Sequence, residues 1–250
     1  MGGNVNLITA ENDVDFVRNL NRELLTAFPE FMYHNETANL YWKELYRSFP
    51  EYQFAMCSSD DNTPVALGNS FPLQRKGPLK MLPDEGLEWG LRTAVEQFHA
   101  GMEPNAICAF QVIVADKARR RGFSFKAVQA MIDIGKSQKL NELIAPVRPN
   151  RKSEYPELSM EEYIGLKRDD GLPLDDWLRV HARLGGETIK ICHESYTVKG
   201  SVADWEKWTG MVFPASGLYN VEGALAPVEI DLELDHGIYT EPNVWMKHEI

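Results

Sequence analysis

At 250 residues the chain can form one large domain or two small ones, and with 44% apolar residues it can bury a substantial core. Its net charge of -11 argues against nucleic acid or an anionic membrane as partner, since both call for a basic surface. Three scattered cysteines (Cys57, Cys108, Cys192) are too few for a disulfide framework, so a reducing, cytoplasmic compartment is the simplest expectation.

The start of the chain has no charged segment leading into an apolar run, so no signal peptide is expected. Met1-Gly2 fails the myristoylation pattern because Asn6 stands where Ser or Thr is needed. No run of about 18 apolar residues marks a membrane span. Asn6-Leu-Ile-Thr reads as a short strand. From Glu11 to Phe28 apolar residues recur at helical spacing, with Asn12 or Asp13 as cap and Pro29 as stop. A second helix is expected over 37–49, with Leu40, Leu45 and Phe49 turned inward. Tyr52–Cys57 and Pro64–Phe71 form a hairpin about the polar turn at 58–62. A helix over 87–99, a strand over 106–114, a helix after Gly122 and a strand over 142–147 follow. The stretch from Arg148 to about Pro173 reads as loop, and a helix over 174–184 is closed by Gly185-Gly186. Strands at 188–192, 228–234 and 243–248 complete the pattern. With no repeat and no linker, one mixed α/β domain spanning 1–250 is the economical arrangement, its helices on both faces of a central sheet.

One stretch, Val112 to Val128, organises the rest. A β-branched strand leads into Arg119-Arg120-Arg121-Gly122, and then into a helix with Phe125, Val128, Met131 and Ile132 on one apolar face. Such a strand-turn-helix aims unpaired backbone N–H groups and the positive end of a helix dipole at one spot, which suits a phosphate. Three arginines add cationic side chains in an otherwise acidic protein; the alternative is a solvated turn.

The element order and the segment RRRGFS resemble the GCN5-related N-acetyltransferase (GNAT) family, a mixed, mostly antiparallel α/β sheet flanked by helices. The family's coenzyme A loop reads Q/R-x-x-G-x-G/A; here Arg119 and Gly122 match, while Ser124 replaces the last Gly or Ala. His181 stands where the family often has a tyrosine, ahead of Leu184-Gly185-Gly186 and the next strand. The resemblance covers roughly residues 6–192, with insertions near 73–105, 149–173 and 193–224.

The resemblance implies an acyltransferase using acetyl-CoA or another acyl-CoA and no metal. Its donor would lie on Val112, Val114, Arg119, Arg120, Arg121, Gly122, Phe123 and Ser124. His181 would protonate the leaving thiolate, or else be a partly buried helix histidine bonded to a carbonyl. Glu85 and Glu88 are candidates for a general base; the alternatives are helix-start carboxylates and a water chain. A small-molecule amine would meet Trp89, Arg148, Lys152, Tyr155 and Trp177, although Arg148, Lys152 and Tyr155 could equally brace their loop. The tryptophans of the last third (Trp177, Trp205, Trp208, Trp245) read as core or pocket wall, and their number suggests an acceptor cavity there. Direct attack is expected, since no Ser or Cys sits in an activating pattern and the histidines show no metal-ligand spacing. Two rival readings remain: an acyl carrier protein as donor, and a non-catalytic acyl-CoA-binding module. A homodimer with its last strands exchanged also stays open.

Overall fold

The computed structural model describes residues 4–24 and 28–250. Among the described residues, nine strands form one sheet in the order β1-β2-β3-β4-β5-β9-β8-β7, with β6 also paired to β9. The strands are β1 Val5–Thr9, β2 Gln53–Ser58, β3 Pro64–Leu73, β4 Ala106–Val114, β5 Glu142–Val147, β6 Glu187–Gly200, β7 Gly217–Tyr219, β8 Val228–Asp231 and β9 His236–Glu249. β4 and β5 run parallel; every other paired set is antiparallel.

Among the described residues, seven α-helices accompany the sheet: α1 Val14–Leu24, α2 Glu36–Ser48, α3 Gly86–His99, α4 Phe123–Ser137, α5 Met160–Gly165, α6 Asp176–Arg183 and α7 Val202–Thr209. α4 packs on β3, β4 and β5, whereas α3 packs on β3 and β6. Their starts follow capping chemistry. Asp13 Oδ1 accepts from Phe16 N at 3.0 Å, and Asn35 Oδ1 accepts from Ala38 N at 2.6 Å. The expected run of α1 to Pro29 crosses residues 25–27 and, like the Met1-Gly2 start, lies outside the described residues. No helix among the described residues is long and apolar enough to cross a membrane.

Several expectations need correction. Leu40 is 70% exposed on α2, although Leu45 and Phe49 are buried as anticipated. Phe125 lies at the rim of α4 and is partly exposed, leaving Val128, Met131 and Ile132 to carry the buried face. The stretch 148–173 is not all loop. Ser159 and Glu162 form a reciprocal capping box that starts α5. The segment after Cys192 continues as strand to Gly200, with a register break between Cys192 and Tyr196. The late tryptophans do not share one cavity: Trp245 belongs to the main core under the sheet, and Trp205 to a second core with Phe31 and Tyr239.

Candidate active site

The site begins where two parallel strands part. β4 and β5 pair only from Ala106–Cys108 to Glu142–Ile144. Beyond that, β4 carries one extra residue, Phe110, because its register to β3 slips opposite Asn69 and Ser70. Pro146 in β5 supplies no N–H to either neighbour. The strands fork, and among the described residues the edge of β4 from Ala109 to Val114 that faces away from β3 has no strand partner. Gln111 is held behind this edge by buried amides: its Nε2 donates to Asn21 Oδ1 at 2.9 Å and to Asn69 Oδ1 at 2.8 Å. Asn69 in turn donates to Gln53 Oε1 at 2.8 Å and to Tyr46 Oη at 3.1 Å.

A cavity of about 590 Å³ opens in the fork. β4 contributes Ala109 to Val112, β5 Ala145 to Val147, and α4 Val128 and Met131. Its far wall comes from Met32, Tyr33, Trp42, Trp177, His181, Tyr196, Glu241 and Asn243. At the other end of β4, a short 3₁₀ turn (Asp116–Ala118) leads into two left-handed residues, Arg120 at φ 60° and Gly122 at φ 82°. α4 then starts with no side-chain cap and no acid in its first turn, so its first N–H groups and dipole face outward. Arg119 reaches back to Asp116 at 2.8 Å, and the guanidinium of Arg121 lies 5.4 Å above the Phe123 ring. All three arginines are exposed.

On the far wall, His181 is buried on α6, and its Nδ1 sits 2.8 Å from His248 Nε2 on β9. Burial, with the neighbouring imidazole, pushes the His181 pKa down to about 3; burial also lowers that of His248. Both rings are therefore neutral near pH 7. Arg148 also lies on this wall, donating from Nε to Glu241 Oε2 at 2.9 Å and from Nη2 to the Gly223 carbonyl at 2.6 Å. Burial opposes its charge, but Glu241 and Tyr239 outweigh that and raise the Arg148 pKa. Glu241 is 1% exposed and also accepts from Tyr239 Oη at 2.8 Å.

No protein-family model matches the chain. It is 32% identical over 251 aligned positions to arginine N-acetyltransferase avaD of Aspergillus versicolor, a match covering 90% of this chain and 86% of that protein. The chain belongs to the GCN5-related N-acetyltransferase superfamily and is an acyltransferase. The GNAT fold extends over its whole length in two solved structures. The loading GNATL domain of CurA from Lyngbya majuscula aligns at TM-score 0.61 and 16% identity, covering 99% of this chain and 98% of that one. The GphF GNAT-like decarboxylase in complex with isobutyryl-CoA aligns at TM-score 0.52 and 13% identity, covering 98% of each.

Within this GNAT frame, the residues singled out from the sequence separate into two groups. Val112, His181, Arg148 and Trp177 reach the cavity; Val114 and the 119–124 loop continue outward along the same strand and turn. The acidic candidates do not reach it. Glu88 Oε1 accepts from Asn35 Nδ2 at 2.7 Å and from Thr197 N at 2.6 Å, while Oε2 accepts from Thr37 Oγ1 at 2.8 Å. A carboxylate so committed fastens α3 to α2 and β6 and lies outside the cavity wall. Glu85 is exposed at the start of α3, also outside the wall. Trp89 packs edge-on against Trp245 in the core, with ring centroids 6.1 Å apart. Lys152 is buried, donating from Nζ to the carbonyls of Tyr155 at 3.0 Å and Leu225 at 3.4 Å, and burial lowers its pKa. Tyr155 packs on Tyr163. These contacts tie Lys152 and Tyr155 to their own loop and to the Leu225 carbonyl, and neither residue lines the cavity.

Sequence reasoning missed Glu241 and His248, and it placed the start of α6 two residues early. Asp175 caps that helix, its Oδ1 accepting from Trp177 N at 2.9 Å and Leu178 N at 3.1 Å, while Oδ2 accepts from Tyr163 Oη at 2.9 Å. An Asp ahead of an amphipathic run was a readable cap signal. Tyr239, Glu241 and Asn243 alternate on one buried face of β9, so a lone acid in such a register was a second signal. Nothing local in the sequence pairs His248 with His181.

Proposed function

We propose that the chain moves an acyl group, acetyl in the first instance, from acyl-CoA to the nitrogen of a small basic acceptor, by direct attack in a ternary complex. The observation that carries this is the fork: an unpaired strand edge beside an open cavity, continuous with an uncapped helix start. The two pantetheine amides of the donor would pair with the free edge of Ala109–Val114, as an added strand would. The pyrophosphate would sit on the backbone N–H groups from Arg120 to Ser124 and the start of α4. Arg119, Arg120 and Arg121 would surround it with positive charge. A β4 N–H facing the thioester oxygen would stabilise the oxyanion by about 3 kcal/mol.

The acceptor would occupy the cavity between Trp42, Phe110 and Trp177, with Arg148 on the wall. The relative named for arginine supports a basic nitrogen compound as acceptor. His181 would handle the proton that leaves the attacking nitrogen and the one that the thiolate requires. Direct attack rather than a covalent acyl-cysteine is supported by burial, which raises the pKa of Cys57 and Cys108 and pushes that of Cys192 up to about 12, holding all three as thiols.

Calorimetric titration with acetyl-CoA, followed by an amine panel that includes arginine, tests this reading. Saturable acetyl-CoA binding that weakens at least about tenfold in Gly122→Asp, together with turnover of a basic amine, is expected; one decade of affinity is about 1.4 kcal/mol. Transfer only from a carrier-protein pantetheine arm would overturn the CoA donor. Tight acetyl-CoA binding without turnover across the panel would overturn the catalytic reading.

A further inference from the structure

We propose that His248 is the positioning partner of His181, holding its proton on Nδ1 so that Nε2 meets the cavity as a bare acceptor. This rests on the acyl-transfer reading above. Two ring nitrogens 2.8 Å apart cannot both be bare or both carry hydrogen; one proton lies between them. If that proton belongs to His181 Nδ1, the other nitrogen of His181 is a base. If it belongs to His248 Nε2, that nitrogen of His181 is a donor.

The acyl-transfer reading chooses between these states. A nitrogen that must first take a proton from the attacking amine starts bare, so the shared proton belongs to His181 Nδ1 and His248 Nε2 accepts it. His248 then carries its own hydrogen on Nδ1, which is buried with no hydrogen-bond partner among the described residues.

The glycine pair after α6 makes the contact possible. Gly185, at φ 79°, turns the chain out of the helix. A Cβ on Gly186 would come within 2.6 Å of His248 Cε1 and 2.8 Å of its Nε2, so only glycine admits the ring. A pair that reads in the sequence as a helix stop is also the seat of His248.

The proton balance then closes on one ring. The amine nitrogen attacks the thioester carbon, a C–N bond forms, and the nitrogen becomes cationic. His181 Nε2 takes one proton from it, and the resulting imidazolium shares its charge through the N–H···N contact. The tetrahedral adduct collapses, the C–S bond breaks, and its electron pair leaves on sulfur. His181 Nε2–H returns the proton to that sulfur, and the neutral pair is restored. Burial disfavours the charged ring, so the proton is readily surrendered.

His248→Phe keeps a ring of similar bulk without nitrogens, and His248→Gln keeps a polar atom able to accept from His181 Nδ1. We expect kcat to fall about 10- to 100-fold in the Phe variant, as for removal of the partner that orients a working histidine. KM for donor and acceptor should stay within about twofold, and Gln should recover most of the loss. Full kcat in the Phe variant, or no recovery by a folded Gln variant, overturns the assignment. Nitrogen NMR of the wild-type rings needs neither turnover nor a variant that folds. A bare Nε2 and a protonated Nδ1 on His181, coupled to His248, support the pair; Nε2–H on His181 overturns it. Failure to bind acetyl-CoA or to acylate any amine would sink the acyl-transfer reading while leaving the NMR result intact.

Discussion

The two sides of the cavity are made in different ways. The side proposed for the donor is one continuous stretch, Ala109 to Ser124: a bulged strand, a short turn with two left-handed residues, and a helix start. The far wall is gathered from residues far apart in the chain, among them Met32, Trp42, Arg148, His181, Tyr196 and Glu241. A continuous site carries its geometry in backbone conformation, and single substitutions there act on binding. An assembled site depends on buried polar pairs, so substitutions there act on chemistry and on stability together.

The sharpest break in this comparison is His181→Ala. Loss of a positioned acid–base group should lower kcat about 10²- to 10⁴-fold, while donor affinity, carried by the other side, stays near wild type. Steady-state kinetics beside acetyl-CoA titration reads both; a parallel loss of donor affinity would show that the two sides are not separable. Next comes Arg148→Ala, which leaves Glu241 buried without its cation. Removing one partner of a buried ion pair should cost about 3 kcal/mol, a fall in Tm of roughly 6 to 12 °C by calorimetry at pH 7.

Acid should act on the same wall. The folded-state pKa of His181, about 3, lies below the ordinary histidine value of 6.5, so the unfolded chain binds the extra proton. The stability from this neutral ring is complete above pH 6.5 and declines as pH falls toward 3. By pH 5 the loss is on the order of 2 kcal/mol, read as a Tm decrease that flattens in a His181→Gln variant. The smallest effect on stability belongs to the donor side. Arg119→Ala removes an exposed pair with Asp116, and its stability should change by less than about 1 kcal/mol. Its acetyl-CoA affinity should nonetheless drop several-fold; unchanged affinity would return this arginine to the solvated turn.

Legibility followed the same division. The bounds of β4 and β5 were read correctly because an apolar run between turn residues is a local signal, and Gly122 because a helix start after arginines needs a turn. Leu40 was misplaced because periodicity indicates an apolar face without saying what covers its end. Glu88 was open between a general base and a helix-start carboxylate, because a carboxylate near a site is ambiguous until its partners are known. Asn35, Thr37 and Thr197, distant in sequence, engage both of its oxygens.

The sequence by itself determined the alternation of strands and helices, the glycine turn before α4 and the superfamily, since period, capping and glycine conformations are set by neighbours in the chain. Only the tertiary structure decided that β4 and β5 part after Cys108, that Lys152 meets the Leu225 carbonyl, and that His181 meets His248. Those outcomes depend on which buried polar groups find each other across the sheet. Burial makes each such meeting costly to leave unsatisfied, and no local pattern records it.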